Sequence, residues 1–237
     1  MTRNGRRAWG LALAWLLVTG AAAGAQSPPR DSLVGVRAGV SLGLRAGTAV
    51  AKLVSDQESS TQGRIAPTGG IYVEARFSRL MSLVLDVLYT EYGGNGVNPL
   101  PLYGRDSLGG HKIERMNLQT RAIEVPLQFK LRPSLSSPIV PYVSFGASRT
   151  WFLGTTSDNF LRSDSSVVEV GVKMDRVVHR YDFAGLGAVG IEVRGTHLRW
   201  SVEVFSRFGL TDFNRPQLAG TTVYSASATG VKVGFGR

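Results

Sequence analysis

Apolar side chains alternate with polar or small ones over unusually long runs, eight times along this chain, and few architectures can use that pattern. In the first run Val34, Val36, Ala38, Val40, Leu42 and Leu44 share one parity, and Gly35, Arg37, Gly39, Ser41 and Gly43 share the other. Successive side chains of a strand face opposite sides of a sheet, so each run has an apolar face and a small or polar face. The pattern predicts strands at approximately 33–45, 69–78, 80–91, 119–131, 140–152, 181–194, 198–210 and 223–235. The fifth run is mixed, because Arg149 shares a parity with Val143, Phe145 and Trp151.

Strand length separates the candidate folds. Globular strands average about 5–6 residues, whereas a tilted membrane-spanning strand needs about 9–11. The connections alternate as well: long polar stretches at 47–68, 93–118 and 154–180, and tight links at Ser78-Arg79, 132–139 and 195–197. With the N-terminus in the periplasm, every long loop and the shorter fourth one, 211–222, falls outside, as in outer-membrane barrels. After the first 25 residues no stretch approaches 18 consecutive apolar residues, which excludes a membrane-spanning helix there. A soluble sandwich or lipocalin-like barrel would also alternate. Its solvent face would then be the glycine-bearing parity, which holds too few charges for that role and suits a narrow closed interior better. The reading is therefore all-β: a single closed antiparallel up-and-down transmembrane barrel of about eight strands.

The first 25 residues read differently. Arg3, Arg6 and Arg7 precede the apolar run Trp9–Gly20 and the small residues Ala21–Ala25, the layout of a secretory signal cleaved after Ala25. The mature domain is then 26–237, of a size for one domain. Export would place it where disulfides form, but the chain has no cysteine. The formal charge of +10 falls by three when the leader leaves. The basic residues are scattered, and export argues against nucleic acid; outer-membrane lipid and an anionic lipopolysaccharide surface are the expected partners.

Ala122-Ile123-Glu124-Val125-Pro126-Leu127-Gln128-Phe129-Lys130 resembles a characteristic strand of the PorT-like outer-membrane β-barrel domain family. Leu83–Glu91, Pro141-Tyr142 and Phe205–Asp212 are similar to other parts of it. The resemblance covers most of 33–237 and implies one eight-stranded barrel without an assigned biochemical role. Such barrels end on an aromatic residue read by the barrel-insertion machinery, whereas here Phe235 is followed by Gly236-Arg237. Pro126 lacks an N–H for the ladder, so a bulge or an unpaired carbonyl is expected there.

The inward parity gathers Glu74, Arg76, Asp86, Glu124, Lys130, Glu192, Glu203 and Arg207. In an interior just wide enough for side chains these charges are expected to pair, forming a salt-bridged plug. A narrow ion path is the functional rival. The aromatics predict two girdles: Tyr89, Trp151, Phe183 and Phe208 outside; Phe77, Phe129, Tyr142, Trp200 and Phe235 inside.

His111 and His179 fall in expected outer loops and His197 in an inner turn. Asp175 and Asp182 near His179 invite a base-and-orienter reading, but no serine motif accompanies them, and no catalytic residue, cofactor or metal site is expected. Partner binding would reside in the outer loops, the second with Tyr92, Tyr103, Arg105, His111 and Arg115, the third with Asp158, Phe160, Arg162, Asp164 and Asp175. The expected function is that of a monomeric, non-enzymatic outer-membrane barrel, structural or presenting a surface for an extracellular or periplasmic protein, with a small channel or transport/secretion accessory as the alternative and a lipid-modifying or proteolytic outer-membrane enzyme as the third reading.

Overall fold

The computed structural model describes residues 39–55, 61–98, 102, 107–108, 111–133, 137–163, 166–175, 178–195, 198–214 and 224–237. The expected leader, its cleavage site after Ala25 and the start of the first expected strand lie outside these residues. The strands are β1 (Gly39–Ser55), β2 (Arg64–Arg76), β3 (Met81–Gly94), β4 (Ser107–Leu108), β5 (His111–Leu131), β6 (Ile139–Ser163), β7 (Ser166–Lys173), β8 (Tyr181–Arg194), β9 (Arg199–Gly209) and β10 (Tyr224–Gly236).

All pairings are antiparallel and they close on themselves. Following the hydrogen bonds from β1 leads through β2, β3, β5, β6, β8, β9 and β10 back to β1. The last contact joins the two ends of the barrel, from Gly43 opposite Gly236 to Ser55 opposite Tyr224. A ring has no free edge, so no strand offers unpaired backbone groups to lipid.

Eight strands close the ring, as expected, and the sheet holds a ninth beside it. β7 lies inside the expected third outer loop, paired along the far end of β6, and is a ninth strand of substantial length; β4 adds a two-residue pairing on β5. The first and second expected outer loops also contract, because β1 runs on to Ser55 and β5 begins at His111. β6, with 25 residues, would reach about 80 Å at about 3.3 Å per residue, against an apolar band about 25 Å tall. The strands rise well above the membrane as a β-ribbon.

Side-chain orientation shows why alternation did not reveal this extension. On β1 Val40, Leu42 and Leu44 point out, but further up Ala49, Ala51 and Leu53 point in and are buried. The apolar parity changes sides where the strand leaves lipid, since a surface in water must be polar outside and apolar inside. On β6 a bulge adds a geometric flip: Arg121 faces Gly154 and Ala122 faces Phe152, leaving Leu153 as the extra residue. Inward positions therefore shift from Thr150 to Thr155, Ser157 and Asn159.

Pro126 keeps register with Ser148 on β6. On its other side the β3–β5 ladder lapses between the pairs Leu85–Leu127 and Leu88–Glu124, with the register unchanged across the gap. The consequence of the missing N–H is thus a broken ladder, not a bulge.

Candidate functional site

The interior is occupied from the periplasmic end upward by ionic groups in three tiers. Lowest, Glu74 and Glu192 face each other with Lys130 between them, its Nζ 2.7 Å from Glu192 and 3.4 Å from Glu74. Arg132 reaches both carboxylates as well, at 2.6 Å and 3.3 Å, and donates to Ser82 Oγ. Arg76, Arg194 and Arg199, partly open at the mouth, lie 3.2–3.9 Å from the same two carboxylates.

In the middle tier Arg45 donates to Asp86 at 3.1 Å and to Glu203 at 3.4 Å. Lys232 approaches Glu203 to 3.0 Å and the Tyr142 hydroxyl donates to it at 2.9 Å. The upper tier centres on Arg207, which donates to Glu124 (3.1 Å), Asp182 (2.5 Å), Thr150 Oγ1 (3.1 Å) and the Ala226 carbonyl (2.6 Å). The Tyr92 hydroxyl completes it with a 2.6 Å bond to Glu124, and the Arg207 guanidinium lies 4.6 Å from the Tyr92 ring.

All eight interior charges expected from the sequence thus face the lumen, and the structure brings them into contact with six more that the same reasoning passed over: Arg45, Arg132, Asp182, Arg194, Arg199 and Lys232. Asp182, Arg199 and Lys232 sat on the polar parity of their runs. Arg45 closed the first run, two residues after Gly43 on the inward parity, so the signal was present. Arg132 and Arg194 sit where β5 and β8 end.

Glycines make room for the rings that separate the tiers. A Cβ on Gly190 would stand 2.7 Å from Tyr142 Cζ, and one on Gly43 or Gly236 would collide with the Tyr72 ring. Tyr142 is accordingly buried in the lumen, which corrects its expected place in the inner girdle. Its parity partners are Ser144, Ser148 and Thr150, and the tyrosine follows them inward. The remaining girdle residues face outward: Phe77, Phe129 and Trp200 are exposed at the periplasmic side with Phe235 half-buried, and Tyr89, Trp151, Phe183 and Phe208 are exposed at the other. Trp200 and Phe235 meet edge-on at 4.3 Å.

Above the ionic tiers the lumen holds apolar side chains together with uncharged polar ones such as Thr155, Ser157 and Asn159. Leu53, Val97, Leu102, Met116, Leu118, Met174, Phe213 and Tyr224 form a buried cluster, with Phe152 packed edge-on against Tyr92 at 6.2 Å and Phe213 at 5.2 Å. Tyr92, expected in an outer loop, belongs to this cluster and to the upper ionic tier. An interior cavity beside Glu124 and Lys232 measures about 10 Å³, room for roughly one water.

The outward surface of the membrane segment is the reverse of a soluble protein's. Val40, Leu42, Leu44, Ile71, Leu85, Val87, Leu127, Phe145, Ile191, Val202, Val204 and Val231 are all exposed. A continuous apolar belt around a closed ring cannot face water, and the chain is an integral outer-membrane β-barrel protein.

Beyond the belt, the ribbon of β5, β6 and β7 carries the polar outer face. Arg115 stacks on Phe160 at 4.2 Å and Arg162 pairs with Glu114 at 3.0 Å. With Lys112 and Val167 these residues line an open cavity of about 620 Å³. Tyr103, Arg105 and Asp164 lie outside the described residues, as does His197. His111 is exposed at the start of β5. Neither carboxylate near His179 in sequence is bonded to it: Asp175 accepts from the Thr155 N–H at 2.8 Å, and Asp182 from Arg207 and Thr211. Among the described residues no group of three or more His, Cys, Asp or Glu is placed to hold a metal.

No protein-family model matches the chain, and no curated protein matches it. Solved outer-membrane proteins do. The chain is similar to Neisserial surface protein A (14% identity, 84% of this chain and 97% of that one, TM-score 0.46). It is also similar to a major outer membrane protein from Thermus thermophilus (10%, 84% and 98%, 0.46) and to OprG from Pseudomonas aeruginosa (15%, 85% and 96%, 0.44).

Proposed function

We propose that the protein is a monomeric, non-conducting and non-enzymatic barrel that works through its extracellular β-ribbon, as a structural element or a surface for a partner. The observation that carries this reading is the filled lumen: among the described residues, three ionic tiers below and an apolar cluster above occupy it. An eight-strand ring has an interior only wide enough for side chains, so the rigid scaffold leaves its outer ribbon as the accessible surface. The stacked Arg115–Phe160 pair and the 620 Å³ cavity beside it are where a protein partner would dock.

The same reading places the chain beside the PorT-like barrels, on the Ala122–Lys130 segment, whose Glu124 and Lys130 both enter the ionic tiers. Outer-membrane lipid, lipopolysaccharide and the barrel-insertion machinery are its expected partners. The absence of a catalytic role is supported by Asp175 and Asp182 being committed to other groups.

Planar-bilayer recording tests the central claim. Purified barrel should give no steady current steps; a steady conductance abolished by Glu124→Ala would overturn the closed-lumen reading. A lipid deacylase or peptidase activity lost in His179→Ala would overturn the non-enzymatic one.

A further inference from the structure

The mixed parity of the fifth run has a structural counterpart. Arg149 points outward from β6 into a face otherwise made of Val143, Phe145, Ala147, Trp151 and Leu153. Its guanidinium carbon lies 4.9 Å from the Trp151 ring centre, 5.4 Å from Phe183 and 5.7 Å from Tyr181. These rings are placed by strand register, with Phe183 directly opposite Arg149 on β8 and Tyr181 directly opposite Trp151. The guanidinium is therefore held among three aromatic rings, which attract a cation without neutralising it. Among the described residues no carboxylate pairs with Arg149.

Height decides what this cation meets. Arg149 is ten positions beyond Ile139, the periplasmic start of β6, or about 33 Å along the strand at about 3.3 Å per residue. A tilt of about 40° converts that to about 25 Å, the height of the apolar band. The guanidinium thus sits at the outer rim, level with lipid headgroups. A second exposed cation, Arg121, stands on the outward parity of β5 two positions from Ile123, the residue that faces Trp151. At the periplasmic end Lys130 on β5 and Arg132 just beyond it turn into the lumen instead, and the exposed Arg79 lies in the β2–β3 turn, off the strands.

We propose that Arg149, in its cradle of Trp151, Tyr181 and Phe183 and with Arg121 beside it, binds a phosphate of lipopolysaccharide lipid A in the outer leaflet. A guanidinium presents a planar fork to phosphate oxygens, and the flanking rings offer flat apolar faces to the attached sugar and acyl chains. The outer leaflet is the leaflet at this height, and lipid A brings a phosphate monoester on a sugar, more highly charged than the diester of a phospholipid. The inference rests on the outer-membrane placement of the barrel and is independent of whether the lumen is closed.

Calorimetric titration of the refolded full barrel in detergent micelles with purified lipid A tests it. The wild type should bind saturably, Arg149→Gln about tenfold more weakly, and Arg149→Lys in between; monophosphoryl lipid A should bind less well than the bisphosphoryl form. Arg149 faces lipid and touches no interior tier, so unboiled gel migration should show Arg149→Gln folded as the wild type is. Equal binding by folded wild type and Arg149→Gln would overturn the proposal. So would phosphatidylglycerol binding as tightly as lipid A, which would make the site one for phosphodiesters in general. Either result leaves the planar-bilayer test of the closed lumen standing.

Discussion

Arg207 on β9 and Glu124 on β5 stand 83 residues apart in sequence and 3.1 Å apart in space, joined across the lumen. β6 and β8 separate their strands in the ring, so the bond is a chord through the barrel and not a link between neighbours. Arg45 bridges β3 and β9 in the same way, and Lys130 bridges β2 and β8. Adjacent-strand hydrogen bonds fix the circumference, and these chords fix the cross-section.

Removing Glu124 should therefore be costly. Glu124→Ala deprives Arg207 of one of its two carboxylates and the buried Tyr92 hydroxyl of its acceptor. Breaking a buried pair from one side costs about 3–5 kcal/mol. Lys130→Met should cost less, because Arg132 still contacts both Glu74 and Glu192. Urea unfolding of the two variants in lipid vesicles should place Glu124→Ala below Lys130→Met; the reverse order would contradict the assignment of redundancy to the lower tier.

The lipid-facing belt makes an opposite kind of prediction. Phe145 lies six positions above Ile139 on the same outward parity as Arg149, near the middle of the apolar band. Phe145→Arg should destabilise the barrel in vesicles by about 2–4 kcal/mol, the cost of arginine at the midplane, whereas cations near the rim cost about 0–1 kcal/mol. Arg149→Leu should then be nearly neutral for stability. A soluble barrel would tolerate both changes equally, so a negligible effect of Phe145→Arg would refute the membrane placement.

How much of this was legible in the sequence follows from where the alternation kept its sign. Within the membrane, lipid outside and charges inside give every strand the same parity rule, and Glu74, Asp86, Glu203 and Arg207 fell on the inner face by counting alone. Ala49, Ala51 and Leu53 obey the same geometry with the polarity reversed, so a search for one apolar face ended at Arg45 and assigned the rest to a loop. Tyr142 misled for a related reason: a ring near a strand end reads as girdle, and only its even-numbered neighbours Ser144 and Ser148 marked it as inward. Leu153 could not be read as a bulge, since nothing in its type distinguishes the extra residue of a bulge from its neighbours.

Two glycines on one strand should respond differently to the same change. A Cβ at Gly190 would stand 2.6 Å from the Val202 carbonyl and 2.7 Å from Tyr142 Cζ, while one at Gly187 meets nothing within 4 Å. Gly190→Ala should lower stability by about 1–3 kcal/mol through overpacking, and Gly187→Ala should leave it unchanged or raise it by about 0.4–1 kcal/mol. Paired unfolding curves in vesicles provide the comparison.

The upper apolar cluster and the ionic tiers both fill the lumen and share Tyr92, and what each contributes can be tested at Phe213. Its ring packs edge-on against Phe152 at 5.2 Å and is fully buried, so Phe213→Ala should cost about 3–5 kcal/mol by leaving a cavity. The cavity would lie above Arg207, whose four hydrogen bonds involve no atom of Phe213. The variant should therefore be less stable in urea yet still pass no steady current in a planar bilayer. Current through Phe213→Ala would mean that the apolar cluster alone seals the barrel and that the tiers beneath it admit ions.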